Sequence, residues 1–331
     1  MRALLLNENK DLSIQEIPTP SPGPGEALVK IQAAALNHRD LWIQKGLYPG
    51  IELPSVLGSD GSGTVEQVGE GVDDSWLGRE VVIYPANGWT KGQTWPDRNY
   101  RVLGMPKNGT MAEYLLIDAQ NLYDKPSHLS WPQAAACLLA GLTAWRALMV
   151  RGALQAGEHV LITGIGGGVA QLGLQLALQS GAKVYVSSGS PEKIAAAKSM
   201  GASGGVNYKE DDWPEQLKAM SGGIDVVLDS SPLADLNRYL RFLNTGARIA
   251  YYGATATREA HLNLGKFFFK QISLLGSTMG SMVDFGNMLD FIAEHKIDVP
   301  VDSTYPMSEF RSAFERMQRG EQMGKIVLLT Q

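Results

Sequence analysis

From about residue 154 to residue 275, short apolar runs alternate with segments whose apolar residues recur every three or four positions. Val160, Leu161 and Ile162 form one such run, suited to a parallel strand covered on both faces. After a glycine turn, Val169, Leu172, Leu176 and Ala177 return at helical spacing. Residues 183–187 read as a second strand. Ser190 then offers a capping hydroxyl, Pro191 a first helical position and Gly201 a stop. Further strands are expected at 206–208, 224–229, 248–252 and 272–275. This alternation predicts a doubly wound parallel sheet.

The first 120 residues are patterned differently. Short alternating segments at 27–33, 63–68 and 80–84, separated by glycine and proline, predict a mostly antiparallel β domain. Pro18, Pro20, Pro22 and Pro24 mark a loop inside it, because strand-like sequence flanks them closely. The tail is expected to rejoin this domain, with helices near 282–295 and 308–317 and a last strand at 325–329. The predicted fold class is α/β, with a β domain from residues 1–120 and 276–331 and a parallel-sheet domain from 121–275.

The glycine turn carries the first chemistry. Gly164, Gly166, Gly167 and Gly168 let the backbone turn sharply and approach a pyrophosphate, and the helix opening near Val169 aims its N–H groups at the phosphates. Ala170 stands where the usual fingerprint has a third glycine. A tight turn between packed elements is the plain alternative.

Composition acts by exclusion. At 331 residues the chain can bury two cores, and a net charge of −5 without a basic tract argues against nucleic acid. No apolar run approaches membrane-spanning length and the first residues turn polar too soon for a signal peptide, so no membrane partner and a cytoplasmic location are expected. Cys137, the only cysteine, excludes an internal disulfide; in the apolar run 134–140 a buried, reduced thiol is expected.

Several motifs carry a resemblance over the whole chain. They are Ala35-Leu36-Asn37-His38-Arg39-Asp40-Leu41-Trp42, Leu57-Gly58-Ser59-Asp60-Gly61-Ser62-Gly63, Ala140-Gly141-Leu142-Thr143-Ala144-Trp145, the glycine turn, Leu275-Gly276-Ser277-Thr278-Met279-Gly280 and Gly324-Lys325-Ile326-Val327. With them the sequence resembles the medium-chain dehydrogenase/reductase superfamily, most of all its quinone-oxidoreductase and zinc-type alcohol-dehydrogenase-like branches. The resemblance implies a GroES-like β domain, a Rossmann domain and, as in relatives, a homodimer acting on a small-molecule substrate.

Zinc-dependent relatives place a cysteine at Asn37, a His-Glu pair at Ser59-Asp60 and a cysteine near Ala140. Zinc takes thiolate, imidazole or carboxylate ligands, so no metal site is expected. The four-cysteine lobe of those relatives corresponds to residues 87–104, which keep Trp89, Trp95 and Tyr100 but no cysteine. Without a Lewis acid, hydride addition favours quinones and conjugated enones, which spread the incoming charge. By resemblance Asn37, Asp40 and Tyr48 lie beside the nicotinamide. Tyr48 could hydrogen-bond a substrate carbonyl, Asn37 could do so or hold the loop, and Asp40 is expected to fix loop geometry. Packing of Tyr48 and Trp42 as ordinary aromatics is the alternative.

An NAD enzyme usually carries an acid about 20 residues past the glycine turn. That count reaches Ser188 here, and Lys193 and Tyr208 match a lysine and tyrosine that bind the 2′-phosphate in NADPH-linked relatives. NADP(H) is therefore the expected cofactor. The resemblance also sets Thr143, Gly253, Ala254, Ser277, Met279 and Lys325 along it, although Lys325 could equally be a surface cation. Three classes stay open: an NADPH-dependent reductase of quinones or enones, an alcohol or aldehyde dehydrogenase, and a non-catalytic NADPH-binding regulator.

Overall fold

The computed structural model describes residues 1–89, 92–230, 235–254 and 259–330. The chain divides into two compact units, Met1–Ala140 with Ser281–Gln331, and Gly141–Gly280. Among the described residues no helix is long and apolar enough to cross a membrane.

The first unit is built on a seven-stranded sheet around Glu26–Ala35. This strand pairs antiparallel with Asp60–Val68 along one edge. Its other edge is shared by Tyr114–Asp118, opposite Glu26 to Lys30, and Lys325–Leu329, opposite Ala33 to Ala35. Val301–Pro306 extends the sheet by pairing parallel to Lys325–Leu329. Alternation selects the core: Ala27, Val29 and Ile31 face it with Val65, Val81, Ile83 and Leu328. The tail helices are Met282–Glu294 and Phe310–Arg319. The second starts two residues later than expected because Met307–Glu309 winds as a 3-10 turn.

Residues 121–140 belong to this unit, not to the nucleotide-binding part as the sequence suggested. Leu122–Asp124 pairs antiparallel with Glu80–Ile83, and helix Trp131–Ala136 packs on Glu26–Ala35 and Asp60–Val68. A three-residue strand reads the same in either sheet, so only its pairing assigns it. Residues 276–280 likewise fall in the second unit.

The second unit holds a six-stranded parallel sheet in the order Gly204–Asn207, Lys183–Ser188, His159–Ile162, Ile224–Asp229, Leu243–Tyr251, Ser273–Gly276. Both faces are covered, as the unbroken apolar runs require. Val160, Ile162, Val184, Val186, Val226 and Leu228 face one layer; Leu161, Tyr185, Val227 and Ile249 face the other, with Trp213, Tyr239 and Phe242. The helix after the glycine turn, Gly168–Gln179, lies close to its sheet at Gly173, where an added Cβ would come within 2.5 Å of Leu228 Cδ2.

Candidate functional site

In the first unit the strand Glu26–Ala35 runs into Asn37, which opens the helix His38–Gln44. The Asn37 backbone N–H donates to Asp40 Oδ2 at 2.8 Å. Its side-chain Nδ2 donates to Asp60 Oδ2 at 2.9 Å. Lys325 Nζ donates to Asn37 Oδ1 at 2.6 Å and to Asp60 Oδ2 at 2.9 Å. The Leu139 N–H donates to Asp60 Oδ1 at 2.8 Å. Asp60 is fully buried and Lys325 is 4% exposed. A buried carboxylate is thus compensated by one ammonium, one amide and one backbone donor, as a charge away from water requires.

Glycines make this closure possible. At Gly58 (φ +97) an added Cβ would lie 2.7 Å from Met111 Cγ and 2.9 Å from Met111 N. At Gly61 it would lie 2.7 Å from Thr110 Cγ2. The segment at 110–111 can therefore close on Ser59-Asp60, and Thr110 Oγ1 donates to the Asp60 carbonyl at 2.8 Å.

Ser59 Oγ donates to Leu103 O at 2.9 Å and accepts from Arg39 Nη1 at 2.8 Å. The Arg39 guanidinium lies over the Tyr48 ring, 5.1 Å from its centroid. Tyr48 and Trp42 are partly buried against the core, Tyr48 with its ring clamped by this cation. Asp40 is fully buried, and among the described residues its Oδ1 has no hydrogen-bond partner. Burial pushes the Asp40 carboxyl above the usual range, outweighing Arg39 and the Asn37 N–H, which pull it down. Desolvation, with Lys325 nearby, holds the His38 imidazole below its usual range. Cys137 is buried with Sγ 3.2 Å from Ala134 O, and burial, with Asp60 adding, pushes its thiol up to about 12.

In the second unit Gly164 (φ +64) starts the turn, and the Gly167 N–H donates to Gly164 O at 3.0 Å. Gly167 opens the helix without any side-chain capping bond, leaving first-turn donors near Gly168 and Val169 uncapped by a side chain. Beside the turn, Asp229 accepts from Thr163 Oγ1 at 2.8 Å and from Tyr239 OH at 2.6 Å, tying two strand ends together.

Ser188 ends the second strand. Its Oγ accepts from Ser190 N at 3.1 Å and its carbonyl from Tyr208 N at 3.2 Å. A Cβ added at Gly189 would stand 2.9 Å from Tyr208 Oη and 2.7 Å from Lys209 Cε, so both side chains fold over that glycine. Tyr208 lies one residue past its strand and is 48% exposed, not packed in the sheet. Lys193 is partly exposed in the first turn of Pro191–Ser199, its N–H donating to Ser190 Oγ. Glu192 also sits there, accepting from Ser190 Oγ at 2.6 Å, which holds its carboxyl low.

The other expected cofactor positions sit near strand ends or in a helix. Gly253 and Ala254 follow Leu243–Tyr251, and a Cβ on Gly253 would meet Ser230 O at 2.7 Å. Ser277 N donates to Tyr251 O at 2.9 Å, Ser277 Oγ is buried without a partner among the described residues, and Met279 is buried at φ +38. Thr143 is buried inside the helix Leu138–Trp145, so it is not a helix cap.

Three expectations change. Lys325 is not a surface cation but a buried one. Asn37 has its side chain committed to Asp60 and Lys325, which favours the loop-holding alternative over substrate contact. Asp60, to which the sequence assigns no role, is the hub of the cluster; the glycines beside it are its local signal. His128 Nε2 and His159 Nδ1 donate to the carbonyls of Ile297 and Gly223, as structural histidines do.

Comparison with known proteins matches residues 23–127 to the alcohol dehydrogenase GroES-like domain and residues 168–294 to the zinc-binding dehydrogenase family. A zinc-type alcohol dehydrogenase-like protein, YogA, of Leptosphaeria maculans is 34% identical, over 96% of this chain and 94% of its own. A crotonyl-CoA reductase of Streptomyces collinus is 27% identical over 97% of this chain and 82% of its own. The crystal structure of an NAD-dependent alcohol dehydrogenase superimposes with a TM-score of 0.92 at 35% identity, covering 100% of both chains.

Proposed function

The chain belongs to the medium-chain dehydrogenase/reductase superfamily, and from that premise we propose that it is a zinc-independent NADPH-linked reductase of quinones or α,β-unsaturated carbonyls. The observation that carries this reading is the state of Asp60. At the positions where relatives hold zinc, this chain has an amide (Asn37), a hydroxyl (Ser59), a carboxylate (Asp60) and a methyl group (Ala140). Asn37 and Asp60 are already bound to the Lys325 ammonium, and Ser59 to Arg39 and Leu103. Among the described residues no group of three or more His, Cys, Asp or Glu could hold a metal ion. These donors do not fit zinc, and no step is derived through it.

The glycine turn does fit a dinucleotide, because Gly166, Gly167 and Gly168 carry no side chain and the helix start has no side-chain cap. A reduced nicotinamide would supply the hydride. Gly166 to Val169 would take the pyrophosphate, and Ser188, Lys193 and Tyr208 the 2′-phosphate, with Thr143, Gly253, Ala254, Ser277 and Met279 along the cofactor. The Tyr48 hydroxyl, its ring held by Arg39, is the donor assigned to the substrate carbonyl. Asn37 and Asp40 keep the loop in place, and Lys325, paired with Asp60, holds Asn37 beside the cofactor. The exposed edge strand Ser273–Gly276, with Leu274 42% exposed, is the seat assigned to a homodimer contact.

The test is NADPH oxidation with a quinone, an enone and an aldehyde, beside metal analysis of the purified protein. Turnover of the first two with far less than one zinc per chain is expected. Stoichiometric zinc with turnover of the aldehyde alone would overturn the reading and favour the activity named for the alcohol dehydrogenase relatives. Tight NADPH binding with no turnover would favour a regulator.

A further inference from the structure

We propose that Gln171 is a positioning residue that aims the Gly166 N–H at the pyrophosphate of a bound dinucleotide. This rests on the dinucleotide reading given above. Gln171 lies in the first turns of Gly168–Gln179 with its side chain 1% exposed. Its Nε2 reaches back and donates to Ile165 O at 2.6 Å. Ile165 is itself fully buried, and its N–H donates to Ser187 O at 3.1 Å. The central residue of the turn is thus gripped on both backbone sides.

A trans peptide points its C=O and the following N–H in opposite directions. With Ile165 C=O drawn inward to Gln171, the Gly166 N–H must point away from the helix interior. Among the described residues that N–H meets no acceptor, and Gly166 is partly exposed. An outward, unsatisfied donor beside an uncapped helix N-terminus is what an anion needs.

The rest of the Gln171 side chain shows that the residue is not there for packing. Its Oε1 is buried and, among the described residues, has no hydrogen-bond partner. An orphaned buried acceptor costs stability, whereas methionine or leucine would fill a similar volume without one. The donor function of Nε2 offsets that cost.

The experiment compares wild type with Gln171→Met and Gln171→Leu, using calorimetric Kd values for ADP-ribose, which has a pyrophosphate, and AMP, which has not. Melting of the ligand-free proteins is the control. The expected result is ADP-ribose affinity weakened roughly tenfold or more, AMP affinity changed much less, and melting temperature little changed, because removing the unpartnered Oε1 offsets leaving the Ile165 carbonyl without its donor. Unchanged ADP-ribose affinity overturns the proposal. So does an equal loss for both ligands, or a loss that comes with lowered melting, since either marks a general disturbance of the turn. Failure of wild type to bind NADPH, NADH or ADP-ribose would instead overturn the dinucleotide reading itself.

Discussion

Lys325 and Asp60 are 265 residues apart in the sequence, yet Nζ and Oδ2 are 2.9 Å apart in a buried ion pair. Such a pair does little for net stability as a whole, because desolvation offsets most of the attraction. Breaking it from one side is another matter. Lys325→Met should cost about 3–5 kcal/mol by leaving the Asp60 charge uncompensated. Adding Asp60→Asn to that variant should recover part of the loss. Urea denaturation of the two single variants and the double variant tests this; additive losses would mean that the two charges are not coupled.

Asp40 should make stability depend on pH in an unusual direction. Its folded value stands above the ordinary 3.8, so the native state holds the proton more tightly than the unfolded chain does. Stability from this group is therefore fully present below 3.8 and lost as pH rises through the raised folded value. Asp40→Asn keeps an acceptor for the Asn37 N–H and removes the buried charge. It should leave stability at neutral pH equal or higher by about 1 kcal/mol. Denaturant midpoints across about pH 4 to pH 8 should lose the Asp40 part of the slope; a slope identical to wild type would move the effect to another group.

The Cys137 thiol, pushed up to about 12 and fully buried, should be inert in the folded protein. At pH 8 only about one molecule in ten thousand would carry the thiolate. Iodoacetamide should label nothing in native protein over hours and one thiol per chain in urea. Rapid native labelling would show that this part of the core opens.

Lys193→Ala should weaken NADPH binding about tenfold to a hundredfold and leave NADH nearly unaffected, as expected for loss of a charge-assisted phosphate contact. Glu192 on the same turn accepts from Ser190, so Glu192→Gln should strengthen NADPH binding by a smaller factor. Fluorescence titration with both nucleotides measures each effect. Equal changes for NADH and NADPH in Lys193→Ala would remove that lysine from 2′-phosphate recognition.

What could be read from the sequence was local. The strand His159–Ile162, its glycine turn and the helix after it show in one 20-residue window, because periodicity and turn chemistry are short-range. The Asn37, Asp60 and Lys325 cluster did not show, since three distant segments meet there and none carries a pattern that names its partners. Gln171 was equally silent: it is not part of the apolar spacing of Val169, Leu172 and Leu176, and no local pattern tells that its amide turns back to Ile165. Tyr208 reads from the sequence as the last residue of its strand but lies one residue beyond it, exposed where Gly189 leaves room for the ring.

The pairing of Glu26–Ala35 with Lys325–Leu329 imposes an order on synthesis. As the chain leaves the ribosome, Gly141–Gly280 is complete and contiguous while the first unit still lacks one of its inner strands. For the 288 residues separating Asn37 from Lys325, the Ala33–Ala35 end of the nascent strand keeps an open edge and Asp60 lacks its counter-charge. Lys325–Leu329 therefore closes, long after it was begun, a sheet that Glu26–Ala35 opens, and the period before it arrives is when a chaperone would matter most.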